Sequence, residues 1–149
     1  MRYTILALFS VLILAACGKD NDVKVVDAYA FETPRTMPTA AVFMTIRNDS
    51  DMLDQLIDFK IDNVGRTELH IMEMTNDIMK MRRVDRFDIQ AGESFALTPS
   101  GPHIMVFDMS EGFTTGKNVK ATAVFEKAGE IPVNIDVRTR DPQSSGHNH

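Results

Sequence analysis

Residues 68–84 read ELHIMEMTNDIMKMRRV, and this stretch predicts a β-hairpin, which indicates a β fold for the chain. Side chains alternate between the two faces of a strand, so His70 and Met72 share one face. If Asn76-Asp77 forms a two-residue turn, Met72 lies opposite Met81 and His70 lies diagonal to Met81. Diagonal neighbours are about 7–8 Å apart, within reach of long side chains. A longer loop would change this register.

The rest of the chain, read outward from the hairpin, shows short β-branched and aromatic runs separated by turn residues. No window carries a sustained helical stripe of apolar residues. Many short strands at this spacing are typical of an antiparallel sandwich or barrel, so we predict a single all-β domain over residues 23–140. The predicted strands are 23–31, 41–47, 53–61, 68–74, 79–84, 87–89, 94–97, 104–109, 119–125 and 131–138.

The net charge and the methionine content limit the range of functions that the chain can have. The 149 residues carry a formal net charge of -5, which makes nucleic-acid binding through a basic surface an unfavourable hypothesis. The chain has 10 methionines, 1 cysteine and no tryptophan. Methionine is ordinarily a minority filler of cores, so its excess after Met37 requires another explanation.

The N-terminus predicts an export signal. Arg2 is followed by an apolar run to Ala16, as in a secretory signal peptide over residues 1–16. The sequence Leu-Ala-Ala-Cys ending at Cys17 resembles the bacterial lipobox, which implies lipidation of Cys17 and a tether over residues 17–22. Gly18 after the cysteine favours the outer membrane in a two-membrane bacterium. The alternative is an ordinary signal peptide that ends near a cysteine.

A second pair of candidate ligands follows Gly101-Pro102. His103 and Met105 are two residues apart, so they point the same way if this segment is extended. The glycine and proline place His103 where a loop enters a strand. With Cys17 lipidated, the mature chain has no free thiol, and any sulfur ligand for a soft metal must be a thioether.

The spacing of these residues resembles a known family. Ten residues lie between His70 and Met81, twenty-one between Met81 and His103, and one between His103 and Met105. This pattern is that of the periplasmic copper chaperones called PCuA(C), and segment 41–48 is also similar to that family. The resemblance implies a cupredoxin-like antiparallel β-sandwich that binds one Cu(I) and delivers it toward the copper centre of cytochrome oxidase. Imidazole and thioether ligands suit Cu(I) independently of the resemblance.

Other residues have simpler interpretations. Met72 shares a face with His70 and is an auxiliary metal ligand candidate. His147 and His149 lie in a polar tail, residues 141–149, for which we expect disorder, with a weak second Cu(II) site as the alternative. We interpret four further methionines as core filler and four acidic residues as solvated charges. These are Met44, Met52, Met74 and Met109, and Glu68, Glu73, Asp85 and Asp88.

The sequence thus favours a copper-delivering lipoprotein of the bacterial envelope, monomeric and facing the periplasm. Its expected partners are the copper-bearing subunit of cytochrome oxidase, assembly chaperones, and the membrane itself through Cys17. No arrangement of residues indicates catalysis, and we expect no enzyme activity. A copper-sequestering tolerance protein and a structural lipoprotein without metal are the alternatives. An electron-transfer cupredoxin would need a cysteine thiolate, which the mature chain lacks.

Overall fold

The computed structural model describes residues 22–140, which form ten strands and no helix within that range. Each strand predicted from the sequence is present, with ends shifted by at most a few residues. The strands are β1 (Val23–Phe31), β2 (Thr39–Asn48), β3 (Asp54–Ile61), β4 (Arg66–Thr75), β5 (Ile78–Val84), β6 (Phe87–Ile89), β7 (Ser94–Leu97), β8 (His103–Phe107), β9 (Asn118–Phe125) and β10 (Gly129–Arg138).

The strands follow the order β5-β4-β8-β2-β1-β10-β9-β3-β6, and β7 pairs with β2 beside β8. The sheet closes on itself, because β3 and β4, far apart in this order, lie against each other. The Thr67 hydroxyl on β4 donates a hydrogen bond to the Phe59 carbonyl on β3. The result is a β-sandwich enclosing one apolar core.

One pairing departs from the antiparallel prediction. β1 and β10 run parallel, with Tyr29 opposite Asp136, whereas the other pairings are antiparallel. A bulge in β1 shifts its register on β2 between Val26 and Tyr29, and Asp27 within it has a φ of 51°. Local sequence patterns carry no information on which terminal strands will meet, so this parallel contact was not predicted.

The core is made of side chains from one face of nearly every strand. Burying a large apolar side chain contributes about 1.5–3 kcal/mol, so these residues dominate the stability of the sandwich. The largest fully buried apolar side chains are Phe59, Phe125, Met44, Ile46, Leu56, Ile89, Ile104 and Ile135.

A buried carboxylate fastens the turn between β9 and β10. Asp54 is 2% exposed and accepts hydrogen bonds from the backbone N–H groups of Gln55, Lys127 and Ala128 at 2.7–2.9 Å. A buried polar group is tolerated only when it is hydrogen-bonded. Asp54 therefore holds the start of β3 against the β9–β10 connection.

The β4–β5 hairpin has the register expected from its sequence. Asn76 and Asp77 form the two-residue turn with φ values of 51° and 62°, and Met72 faces Met81. Positive φ at both central residues is the signature of a type I′ turn, which matches the twist of a hairpin. Asparagine and aspartate are the non-glycine residues that adopt this conformation most readily.

Candidate metal centre

The two predicted histidine ligands lie side by side on neighbouring strands. β4 pairs antiparallel with β8, which places His70 opposite His103 and Glu68 opposite Met105. The two imidazole ring centroids are 6.1 Å apart. Cross-strand partners share a face, so all four side chains lie on one face of the sheet, and Leu69 and Ile104 point the other way into the core.

Met81 joins this face from the edge strand β5. His70 lies opposite Arg83 and Met72 opposite Met81, so Met81 is diagonal to His70, as the sequence predicted. The four predicted ligand residues thus occupy one face of three adjacent strands. Among these four residues His103 is the most buried, and Met81 is the most exposed, at 49%.

A hydrogen bond from one ring nitrogen to the backbone fixes the orientation of His103 and leaves the other nitrogen free. Its Nδ1 lies 2.8 Å from the Gly101 carbonyl oxygen. Because a carbonyl oxygen can only accept a hydrogen bond, Nδ1 carries the proton and Nε2 keeps a free lone pair. A metal-bound histidine usually donates its second ring N–H to a carbonyl or carboxylate oxygen in this way.

His70 is held in the opposite sense. Its Nε2 lies 2.9 Å from a carboxylate oxygen of Glu68, so Nε2–H donates and the lone pair belongs to Nδ1. That Nδ1 is buried and has no hydrogen-bond partner within residues 22–140. Buried polar atoms nearly always have a hydrogen-bond partner. A buried nitrogen without one, on a histidine that is a candidate ligand, indicates where a metal ion can bind.

Glu68 borders the candidate ligands and is not the solvated charge that the sequence predicts. Its side chain is only 16% exposed. The hydrogen bond from His70, followed by that from Arg66, lowers the pKa of the Glu68 carboxyl below its ordinary value. Arg83 adds a weaker attraction at 3.9 Å. The sequence carried a signal for this role, since Glu68 and His70 are two residues apart on one strand.

The methionines fall into two groups. Met44 and Met109 are buried, at 1% and 8% exposure, as expected for core filler. Met52 and Met74 are 57% and 66% exposed, so the filler interpretation is wrong for them. Met74 lies at the end of β4, where the hairpin extends beyond the core.

Aromatic rings border the two histidines. The Phe43 ring lies 6.4 Å from that of His103, and the Phe107 ring lies 6.4 Å from that of His70. Arg66 covers the Phe107 ring at 4.4 Å. Met105 also lines a cleft of about 760 Å³ together with residues that include Phe31, Met37, Phe113 and Arg140.

Within residues 22–140 no three His, Cys, Asp or Glu side chains are grouped to hold a metal ion. No helix in that range is long and apolar enough to cross a membrane. The predicted signal peptide, Cys17, the tether and the tail with His147 and His149 lie essentially outside the described residues, which begin at Asp22.

The fold and these side chains define the class as a small β-sandwich that presents soft-metal donors on one face. The chain belongs to the family described as putative lipoprotein LpqE-like, whose model matches residues 23–137. It is also 26% identical over 104 residues to the uncharacterized protein RP573 of Rickettsia prowazekii (strain Madrid E). That match covers 69% of this chain and 58% of the relative, so the chain spans little more than half of that protein.

Solved structures share the fold. The copper-bound PCuAC domain from PmoF2 superposes with a TM-score of 0.69 at 24% identity, covering 80% of this chain and 94% of that domain. Apo-DR1885 from Deinococcus radiodurans gives a TM-score of 0.63 at 20% identity over 94% of both chains. The resemblance to PCuA(C) proteins is thus confirmed in family and fold, and so is the cupredoxin-like sandwich.

Proposed function

We propose that this protein binds one Cu(I) ion through His70, Met81, His103 and Met105 and passes it to another protein of the cell envelope. The observation that carries the proposal is the facing pair His70 and His103, each with one ring nitrogen fixed by a hydrogen bond and the other left free. The copper-bound PCuAC domain that shares the fold supports the same metal, and it supports a binding protein rather than an enzyme.

The donor set suits Cu(I). Thioether and imidazole are soft or intermediate donors, which favour Cu(I) over the hard cations that prefer oxygen. All four ligands are neutral, so the bound ion keeps its +1 charge. The Glu68 carboxylate, which accepts a hydrogen bond from His70, supplies a nearby negative charge without coordinating the ion.

The two imidazoles would bind through different nitrogens. His103 offers Nε2 because its Nδ1–H is committed to Gly101, and His70 offers Nδ1 because its Nε2–H is committed to Glu68. Both rings are therefore oriented before the ion arrives. Such preorganisation lowers the entropic cost of binding.

Release of the ion would begin at Met81. This residue is 49% exposed on the edge strand β5, whereas His103 is 3% exposed. A partner's ligand can displace an exposed thioether first, after which the ion leaves by stepwise ligand exchange.

The recipients we propose are the copper-bearing subunit of cytochrome oxidase and other envelope assembly chaperones. Sequestration of excess copper would use the same site.

The lipid anchor is a further part of the proposal. The lipobox-like sequence at Cys17 and the family description as a lipoprotein both favour an anchored protein facing the periplasm. Metabolic labelling with a radioactive fatty acid tests this in the native host. Label is expected in the wild type and absent in Cys17→Ala, and membrane fractionation of the same cells reports which membrane holds it.

The tail is a separate proposal. His147 and His149 are two imidazoles that would bind Cu(II) weakly. Truncation after Arg140 should remove any Cu(II) signal in electron paramagnetic resonance and leave the affinity for Cu(I) unchanged. A Cu(II) spectrum that survives truncation would reject the tail as its source.

Anaerobic competition titration with a chromophoric Cu(I) chelator tests the main site. The wild type should bind one equivalent tightly, and Met81→Ala and His103→Ala should weaken that binding at least tenfold. Because His103 is buried, circular dichroism must show that its variant is folded. Met81 is exposed, so its variant tests the site independently of the core. Equal affinity in the folded variants and the wild type would contradict the proposed ligands.

A further inference from the structure

Four methionines form two adjacent cross-strand pairs on the β4–β5 hairpin. Met72 faces Met81, and Met74 faces Met79. Pairs separated by two residues on a ladder share a face, so all four side chains lie on the face that carries His70. Only Met81 belongs to the four proposed copper ligands.

Packing does not explain these methionines. Met74, Met79 and Met81 are 66%, 48% and 49% exposed, and Met72 is half-buried. Ile71 meets the core from the opposite face of the same strand. Single exposed apolar residues are ordinary, but a contiguous group on one face of an edge hairpin indicates a ligand or a binding partner.

The hairpin holds this group in a fixed register. The turn at Asn76 and Asp77 closes its end, and Arg82 donates two hydrogen bonds to Glu73, at 2.7 and 3.1 Å, across the other face. Directly opposed Cβ atoms in such a ladder are about 4.5–5.5 Å apart. The long, flexible methionine side chain can close that distance, so neighbouring sulfur atoms can reach one ion.

The local charges permit a monovalent cation. Arg83 is the basic residue on this face of β5. It lies opposite His70 and is farther from the turn than Met81 is. It is directed toward Glu68, at 3.9 Å. Lys80, which neighbours Met79 along β5, lies opposite Glu73 on the other face of the hairpin. A soft cation at Met74 and Met79 would therefore meet thioethers rather than a competing ammonium on this face.

We propose that Met72, Met74 and Met79 form a second, weaker Cu(I) site at the end of the hairpin, from which the ion passes to the main site through Met81. This inference rests on the proposed function for the identity of the cargo. Thioethers are neutral and soft, so such a site selects Cu(I) over Cu(II) and over hard cations. Transfer exchanges one set of neutral ligands for another, and no electron or proton moves.

The test is an anaerobic Cu(I) titration of the whole protein, followed by NMR of methionine methyl groups labelled with carbon-13. The first equivalent should shift the Met81 and Met105 methyl signals. The second should shift those of Met72, Met74 and Met79. In Met74→Leu/Met79→Leu the second equivalent should be lost, while the affinity for the first changes less than about threefold, since leucine keeps the volume and apolar surface but lacks sulfur.

Met52→Leu is the matched control, because Met52 is as exposed but lies off the hairpin. It should leave both equivalents unchanged. A second equivalent bound equally well by the double leucine variant, or methyl shifts confined to Met81 and Met105, would overturn the inference and favour an apolar docking surface for a partner. A wild type that binds no Cu(I) at all would instead reject the proposed function.

Discussion

His70 and His103 face each other across β4 and β8 with opposite ring nitrogens engaged. His70 uses Nε2 toward Glu68, and His103 uses Nδ1 toward Gly101. The two free lone pairs thus belong to Nδ1 of His70 and Nε2 of His103. The pairing of two imidazoles in complementary tautomers is a property of the protein without metal, so it can be measured before copper is added.

Long-range nitrogen-15 NMR correlations of the apo protein at neutral to mildly alkaline pH should report these tautomers. We expect the Nε2–H form for His70 and the Nδ1–H form for His103, because each proton is fixed by its acceptor. Cu(I) should then shift Nδ1 of His70 and Nε2 of His103 most strongly. Finding His103 in the Nε2–H form would contradict its hydrogen bond to Gly101 as the orienting contact.

Removal of the Glu68 carboxylate should weaken copper binding without direct loss of a ligand. Loss of a hydrogen-bonding partner behind a metal-bound histidine lowers metal affinity about 10–100-fold. We expect a decrease of that size in Glu68→Ala and a smaller one in Glu68→Gln, whose amide oxygen still accepts from His70. Competition titration against a Cu(I) chelator measures both.

The matched control for Glu68 is Asp88→Ala, which removes an exposed carboxylate from β6, away from the histidines. Its Cu(I) affinity should equal that of the wild type. If Asp88→Ala weakens binding as much as Glu68→Ala, the effect of Glu68 is general electrostatics, and its positioning role is rejected.

The hairpin turn should respond to a change at Asp77. Its φ of 62° suits glycine and penalises β-branched residues, for which a left-handed conformation costs about 1–2 kcal/mol or more. Asp77→Gly should leave the free energy of unfolding equal or slightly raised, whereas Asp77→Val should lower it by that amount. Urea denaturation measures both, and equal stability of the two variants would show that the turn tolerates another conformation.

The hairpin was predictable because all its information is local. The alternation around His70 and the short turn at Asn76 fixed which residues face each other, and the observed register agrees. The spacing of His103 and Met105 likewise placed both side chains on one face. These patterns depend on strand geometry within a few residues, and no distant contact can alter them without disrupting the strand.

What sequence reasoning missed depends on contacts distant along the chain. The placement of β8 beside β4 brings His103 opposite His70, and no turn between them specifies that register. The parallel contact of β1 with β10 is of the same kind. The hydrophobicity of Met74 predicts core filler, but the residue is 66% exposed because the hairpin extends beyond the core, which the local sequence does not show.

Asp54 provides a test of the fold that is independent of the metal. Asp54→Ala removes three partly buried hydrogen bonds from backbone N–H groups to a carboxylate, and a hydrogen bond to a charged group contributes about 1.5–3 kcal/mol. We expect the free energy of unfolding to fall by about 1.5 kcal/mol or more in thermal or urea denaturation. At a temperature where the variant is folded, its Cu(I) affinity should match the wild type, since the hydrogen bonds of the Asp54 carboxylate go to Gln55 and the β9–β10 turn and to no residue of β4, β5 or β8.

X-ray absorption at the copper edge, on the whole protein loaded anaerobically with one equivalent, tests the central claim most directly. The predicted first shell contains two imidazole nitrogens and two thioether sulfurs around Cu(I), and Met81→Ala should lose one sulfur. A shell of nitrogen and oxygen without sulfur, or one that the Met81 variant leaves unchanged, would contradict the site.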